Sequence, residues 1–166
     1  IGQTYALKYP GVFQSMVLAD TTSRYPAEAQ PQWDDRIKSV QAGGMQAIAD
    51  ATLARWFTEP YRKSHPQVID RIGGSIRATS VTGFVGCCHA IPRINVTHRL
   101  KEIACPTLVI VGEQDPGTPV AMAREIHAAK PGSELVIIPS AAHLSNIEQP
   151  QAFNAALLGF LDRVAK

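Results

Sequence analysis

Two residues near the end of the chain have types and spacing that could do chemistry together. Asp115 lies three residues beyond Gly112, which closes the apolar run PTLVIVG, and His143 lies four beyond Pro139, which closes ELVIIP. Neither run shows polar alternation, the mark of a strand covered on both faces in a parallel sheet. In open parallel sheets the functional loops gather beyond the carboxyl ends of the strands. Neighbouring strands would therefore bring Asp115 and His143 to one edge. A carboxylate placed there holds imidazole in one tautomer and stabilises imidazolium as it forms. Either residue alone is ordinary, since loop aspartates commonly serve turns or caps. One residue after each of two consecutive strands is what points to acid–base chemistry.

The elements that must position this pair follow from the rest of the pattern. IGQTYALKY opens the chain as a helix, which Pro10-Gly11 stops, and SMVLAD is a first apolar strand at 15–20. From about 25 to 100 the chain is helix and connectors. Residues 31–42 have proline in the first turn and Gly43-Gly44 as a stop. Residues 45–57 form a helix by propensity, but Ile48, Leu53, Trp56 and Phe57 make no single clean stripe. Two further helices are expected at 66–78 and 80–91. The last third alternates: strand 106–112, a helix begun by a Thr118-Pro119 cap, strand 134–139, and a helix ending near Val164. In that helix Phe153, Leu157, Phe160, Leu161 and Val164 share one face, and Ser145 with Glu148 has capping-box spacing. Strands joined through helices imply a parallel sheet with right-handed crossovers. Three strands make a thin sheet, so one edge, at 15–20, should lack its neighbour.

Composition excludes several classes. Charged residues are 18% of the chain, below the roughly 25% of ordinary soluble domains, which implies extra buried surface inside it or against a partner. The net charge of +2 comes from scattered Lys and Arg, so neither a nucleic acid nor a membrane surface is an expected partner. No basic-plus-apolar leader opens the chain, and no run of about 18 apolar residues could span a bilayer. Cys87, Cys88 and Cys105 are too few and too oddly spaced for a disulfide framework; buried, reduced thiols in a cytoplasmic protein are expected. Cys87 and Cys88 have no His or cation fixed beside them by motif, so small buried hydrophobes account for both. His65, His89, His98 and His127 show no metal-ligand spacing, and Gly73-Gly74 lacks the dinucleotide-binding pattern; no metal and no cofactor are expected. Asp20 either lines a pocket or serves a turn, while Ser140 and Ser145 fit loop and cap positions. Ile1 stands inside a helical stretch, so the chain is expected to begin in mid-protein.

PTLVIVGEQDPGTP followed by ELVIIPSAAHLSNIEQPQAFNAALLGFL resembles the end of the α/β-hydrolase fold. That family's acid follows one strand in a G-x-x-D setting, and its histidine follows the next in H-x-x-x-x-E-x-P. IGQTYALKYPGVFQSMVLADTT resembles the helix after the nucleophile elbow and the next strand. GGMQAIADATLARWF, TGFVGCCHAI and HLSNIEQP are most similar to 3-oxoadipate enol-lactonases. The resemblance implies an α/β fold: 1–24 and 101–166 as the C-terminal part of the hydrolase sheet, and 25–100 as a helical lid. It also implies Asp115 and His143 as triad members in cofactor-free hydrolysis of a carboxylic ester or lactone. A small-molecule substrate of this kind carries a carboxylate, for which a lid cation would serve. Arg55, beside Trp56, is the first candidate and Arg36 the second; a solvated helix position for Arg55 and lid packing for Trp56 is the competing account.

The departure from the family pattern is as informative. G-x-S-x-G, which places the nucleophilic serine on a strand-to-helix turn, occurs nowhere in the 166 residues, and the family pattern would put it just before Ile1. Since losing the serine of a triad costs on the order of 10⁶ in turnover, Asp115 and His143 alone should be inactive. An esterase, thioesterase or acyltransferase of the same fold, or a non-catalytic ligand-binding fragment, stays open. A missing N-terminal half or a dimer partner is expected to cover the edge at 15–20.

Overall fold

The apolar run after Pro106 becomes the spine of the molecule. In the computed structural model, which describes residues 1–165, Thr107–Gly112 (β2) is buried at every position. It pairs in parallel with Met16–Ala19 (β1) on one side, Leu18 opposite Val109, and with Glu134–Ile138 (β3) on the other, Ile110 opposite Val136. The order β1-β2-β3 leaves β1 and β3 as edges, and among the described residues no strand pairs with the outer side of β1.

The two-residue period of β2 assigns its side chains to two layers. Val109 and Val111 join Met16 and Leu18 in a core with Ala6 of Gly2–Lys8 (α1), Leu100 and Ile103, and Ala123 and Ile126 of Val120–Ala129 (α7). Leu108 and Ile110 face the other way, against Ile138, Ala141 and Phe160. Helices therefore cover both faces, which is why the run carries no polar alternation. At the edge, β3 is only half-buried from Glu134 to Ile137, less enclosed than its apolar sequence suggests.

The chain divides into two compact units, 1–23 with 95–166, and 24–94. Residues 95–100, grouped with the helical insertion by sequence pattern, belong to the first unit. Leu100 is buried in its core, Val96 donates its N–H to Ser23 O at 2.9 Å, and Thr97 and Ser23 share a hydroxyl hydrogen bond of 2.6 Å.

The second unit is wholly helical: Gln30–Gly43 (α2), Gln46–Trp56 (α3), Glu59–Ser64 (α4), Pro66–Arg77 (α5) and Val81–Ala90 (α6). Gly44, at φ 68°, ends α2 in the left-handed conformation that glycine adopts without cost. The stripe missing from α3 closes once small residues are counted: Met45, Ile48, Ala49, Thr52, Leu53 and Phe57 are all buried, at i, i+3, i+4, i+7, i+8 and i+12. Helix α4, capped by Thr58 Oγ1 accepting from Tyr61 N, has no counterpart in the sequence pattern. Ser80 caps α6 through Gly83 N. Of the paired cysteines only Cys88 is buried; Cys87 is exposed because successive helix positions point about 100° apart.

The C-terminal segment folds as a single turn, Ser145–Glu148 (α8), and then Pro150–Val164 (α9). The face of α9 toward the sheet has Phe160 buried, with Phe153, Ala156 and Val164 half-buried and packed around it. Leu161, placed on that face by the sequence pattern, is turned outward and 37% exposed, one residue of rotation beyond Phe160. No helix among the described residues is long and apolar enough to cross a membrane.

Candidate active site

Asp115 and His143 meet at the carboxyl ends of β2 and β3. The backbone after β2 is drawn across to the neighbouring loop: Glu113 N–H reaches Ile138 O at 2.9 Å, and Gln114 N–H reaches Ala141 O at 2.8 Å. The turn then folds on the Asp115 side chain. Asp115 Oδ1 accepts from Gly117 N at 2.7 Å and Thr118 N at 3.1 Å, an Asx-type turn. Asp115 Oδ2 accepts from Thr118 Oγ1 at 2.7 Å and pairs with His143 Nδ1 at 2.8 Å. Thr118 is thus spent on the carboxylate and not on a helix cap. Helix α7 has Pro119 at its N-cap position, with no side-chain cap hydrogen bond.

The electrostatics are those of a held anion. Asp115 is 3% exposed. Burial alone pushes its carboxyl up, but the hydrogen bond and charge of His143, with the Thr118 bonds, outweigh it and hold the group below its ordinary value of 3.8. An ionised carboxylate only accepts, so His143 Nδ1 carries the proton of that bond. Proton exchange with a reacting group then falls to Nε2.

The loop holding His143 is fixed at several points. Ser140 adopts a left-handed φ of 54°, and Ala142 N–H donates to Glu148 Oε2 at 3.0 Å. Glu148 is therefore a loop anchor and does not complete a capping box. Ser145, buried completely, gives its hydroxyl to Asp20 Oδ2 at 2.6 Å, so its expected cap role is also absent. Asp20 Oδ1 accepts Gly112 N at 2.7 Å. Asp20 and Ser145 are thus joined to the site by links of 92 and 125 residues along the chain. No local sequence signal marks that distance; only the placement of Asp20 at a strand end hints at it. Gly112 has the signal of the G-x-x-D spacing itself.

The other candidates lie in the helical unit. Arg55 and Trp56 close α3, both half-buried, and the Arg36 guanidinium stands 5.0 Å over the Trp33 ring within α2. Burial pushes the Cys88 thiol up, with Cys87 adding to the shift, the opposite of an activated nucleophile. His65, His89, His98 and His127 are exposed, and among the described residues no group of three or more His, Cys, Asp or Glu gathers to hold a metal.

Thr118→Val should test the held anion directly. It removes one charge-assisted bond from a buried carboxylate, at a cost of about 1.5–3 kcal/mol. The pH dependence carries the sign. A carboxyl whose folded pKa is depressed contributes stability above its unfolded value and loses it as pH falls through the folded one. With the Thr118 bond gone the Asp115 pKa moves up toward its unfolded value, so the variant's deficit, full at neutral pH, should shrink in thermal denaturation as pH falls through the acid range. A deficit that stays constant from neutral to acid pH, or no deficit at neutral pH, would contradict it.

Comparison with known proteins bears on the fold. The profile of the family described as "alpha/beta hydrolase fold" matches residues 1–150. The chain is 34% identical over 162 residues to 3-oxoadipate enol-lactonase 2 of Acinetobacter baylyi, covering 98% of this chain and 60% of that protein. A solved hydrolase from Pseudomonas aeruginosa PA01 superposes with a TM-score of 0.89 at 37% identity, over 96% of this chain and 60% of the other. The enol-lactonase from Burkholderia xenovorans LB400 does so with a TM-score of 0.91 at 31% identity, over 97% and 61%. The chain therefore spans about three-fifths of the length of each protein it matches. With the profile running from α1 to Pro150, the parallel sheet and the strand ends that carry Asp115 and His143 all lie inside the match, and the chain belongs to the α/β-hydrolase fold family.

Proposed function

We propose that this chain carries the acid and the histidine of a serine-type hydrolase acting on a carboxylic ester or lactone, most like a 3-oxoadipate enol-lactone. The 2.8 Å pairing of Asp115 Oδ2 with His143 Nδ1 at adjacent strand ends carries the reading. The nucleophilic serine comes from a segment outside these 166 residues, and that segment covers the outer edge of β1. The serine oxygen attacks the carbonyl carbon while His143 Nε2 takes its proton. Collapse of the tetrahedral intermediate breaks the ester C–O bond, and His143 returns the proton to the leaving oxygen. Water, deprotonated by the same nitrogen, then releases the acyl group and restores the serine. Asp115 stays ionised throughout, orienting the ring and balancing imidazolium. The chemistry needs no cofactor.

The helical unit serves as lid in this reading, with Arg55 beside Trp56 holding the substrate's carboxylate and Arg36 as the second candidate. The Arg36–Trp33 stack gives Arg36 a packing role as well. The test uses the complete gene product, a carboxylate-bearing enol-lactone and a neutral p-nitrophenyl ester. Arg55→Ala should raise KM for the lactone by about tenfold, the loss of one charge-assisted contact, and leave the neutral ester unchanged. Equal effects on both substrates would remove the carboxylate assignment. Turnover of the ester alone by the parent protein would replace the lactonase by a general esterase.

A further inference from the structure

Asp20 is a buried-side carboxylate that the reaction outlined above does not use, and its position is unusual. It directly follows β1 with a φ of 44°, a left-handed conformation uncommon outside glycine, while its own N–H still donates to Ile110 O at 2.8 Å across the sheet. This backbone turn directs the carboxylate to the ends of the other strands. One oxygen accepts the Gly112 N–H at 2.7 Å, three residues before Asp115. The other accepts the Ser145 hydroxyl at 2.6 Å, two residues after His143. Ser145 has no exposed surface, so water does not compete for that bond.

We propose that Asp20 is a positioning residue of the active site, clamping the His143 loop to the end of β2 through Ser145 and Gly112 and so setting the His143–Asp115 geometry. The proposal rests on the hydrolase reading for its catalytic consequence. The other ties on the loop act elsewhere: Ala142 is held by Glu148, and Ala141 O takes the Gln114 N–H. Beyond His143, Ser145 is the residue whose side chain links the loop to β1. Asp20 also stands within electrostatic reach of both members of the pair. Burial pushes its carboxyl up and the two hydrogen bonds oppose this; Asp115 raises it further and His143 lowers it.

The experiment compares Asp20→Ala, Asp20→Asn and Ser145→Ala in the complete gene product by two readouts. One is the downfield proton NMR signal of His143 Nδ1–H, which reports the bond to Asp115 whether or not the protein turns over an ester. The other is steady-state kinetics. Asp20→Ala should broaden or lose the signal and lower kcat on the order of tenfold to a hundredfold, with KM nearly unchanged, as expected when a reacting group is misplaced. Asp20→Asn, which keeps an acceptor for Gly112 and an amide for Ser145, should restore the signal and most of kcat. Ser145→Ala removes one arm alone and should fall between, which keeps the test available if Asp20→Ala does not fold. An unchanged signal and kcat in a destabilised Asp20→Ala or Ser145→Ala protein would overturn the proposal, as would a lost signal with full kcat. If His143→Ala keeps its activity, the hydrolase reading fails by itself, and the NMR arm alone decides the clamp.

Discussion

His143→Ala in the complete gene product should lower turnover of an ester or lactone on the order of 10⁶-fold, and Asp115→Asn about 10⁴-fold. The difference follows from what each atom does. Nε2 of His143 is the base that takes the serine proton and the acid that returns it, so its removal disables both half-reactions. Asp115 never exchanges a proton; it selects the tautomer and balances the ring's charge. An amide at 115 turns an N–H toward one of its present donors, His143 Nδ1 or the Gly117–Thr118 group. The imidazole then settles in the wrong tautomer with its position nearly kept. His143→Ala should still fold, since Asp115 keeps its Thr118 and Gly117 bonds. Its melting temperature should fall about as far as that of Thr118→Val, because each removes one bond from the same buried carboxylate. Activity of His143→Ala within about tenfold of the parent would sink the hydrolase reading.

Gly112→Ala should cost about 3 kcal/mol of stability or more, and displace the site with it. Gly112 closes β2 where the strand end lies backbone to backbone against the His143 loop. A methyl there would collide with the carbonyl oxygen of Ala142 and lie 2.6 Å from that of Ala141. Both are main-chain atoms, so no side chain can swing away. The only relief is to push the His143 loop off β2, breaking the Gln114–Ala141 hydrogen bond and the Asp20 contact to Gly112. Two other glycines give contrast. Gly117→Ala meets only Asp115 Oδ1, at 3.3 Å, and Gly74 in α5 has nothing within 4 Å. Gly74→Ala should be neutral or stabilising by about 0.5–1 kcal/mol, from helix propensity and reduced unfolded-chain entropy. Thermal or urea denaturation of the three variants orders them. Parent-like stability in Gly112→Ala would show that the loops do not approach as described.

The legible parts of the sequence share a physical origin. The β2 strand shows plainly because its side chains leave on both faces into helical layers, and two buried faces force a continuous apolar run. The paired strand ends then locate Asp115 and His143 by counting. The helices were legible where apolar positions and turn residues agreed, as at Gly44. Legibility failed where small or polar residues carry the packing. In α3, Ala49 and Thr52 complete a stripe that large hydrophobes alone leave open. In α9, Leu161 and Phe160 are neighbours in sequence but 100° apart around the helix, and the sheet selects Phe160.

Local pattern by itself determined the order of the three strands, the parallel sheet, and the two loops in which an acid and a histidine stand, because these depend on periods of two and 3.6 residues and on turn chemistry within a few positions. Tertiary structure alone decided how the pair is held. Thr118 looks like a helix cap until the Asp115 turn claims its hydroxyl, and Ser145 and Glu148 look like a capping box until Asp20 and Ala142 N claim theirs. In each case a polar side chain has a nearby partner available in sequence and a better one available in space. Burial favours the better one, because a carboxylate removed from water needs every donor within reach. Bonds that join residues 92 and 125 positions apart form only once the strands have brought their ends together.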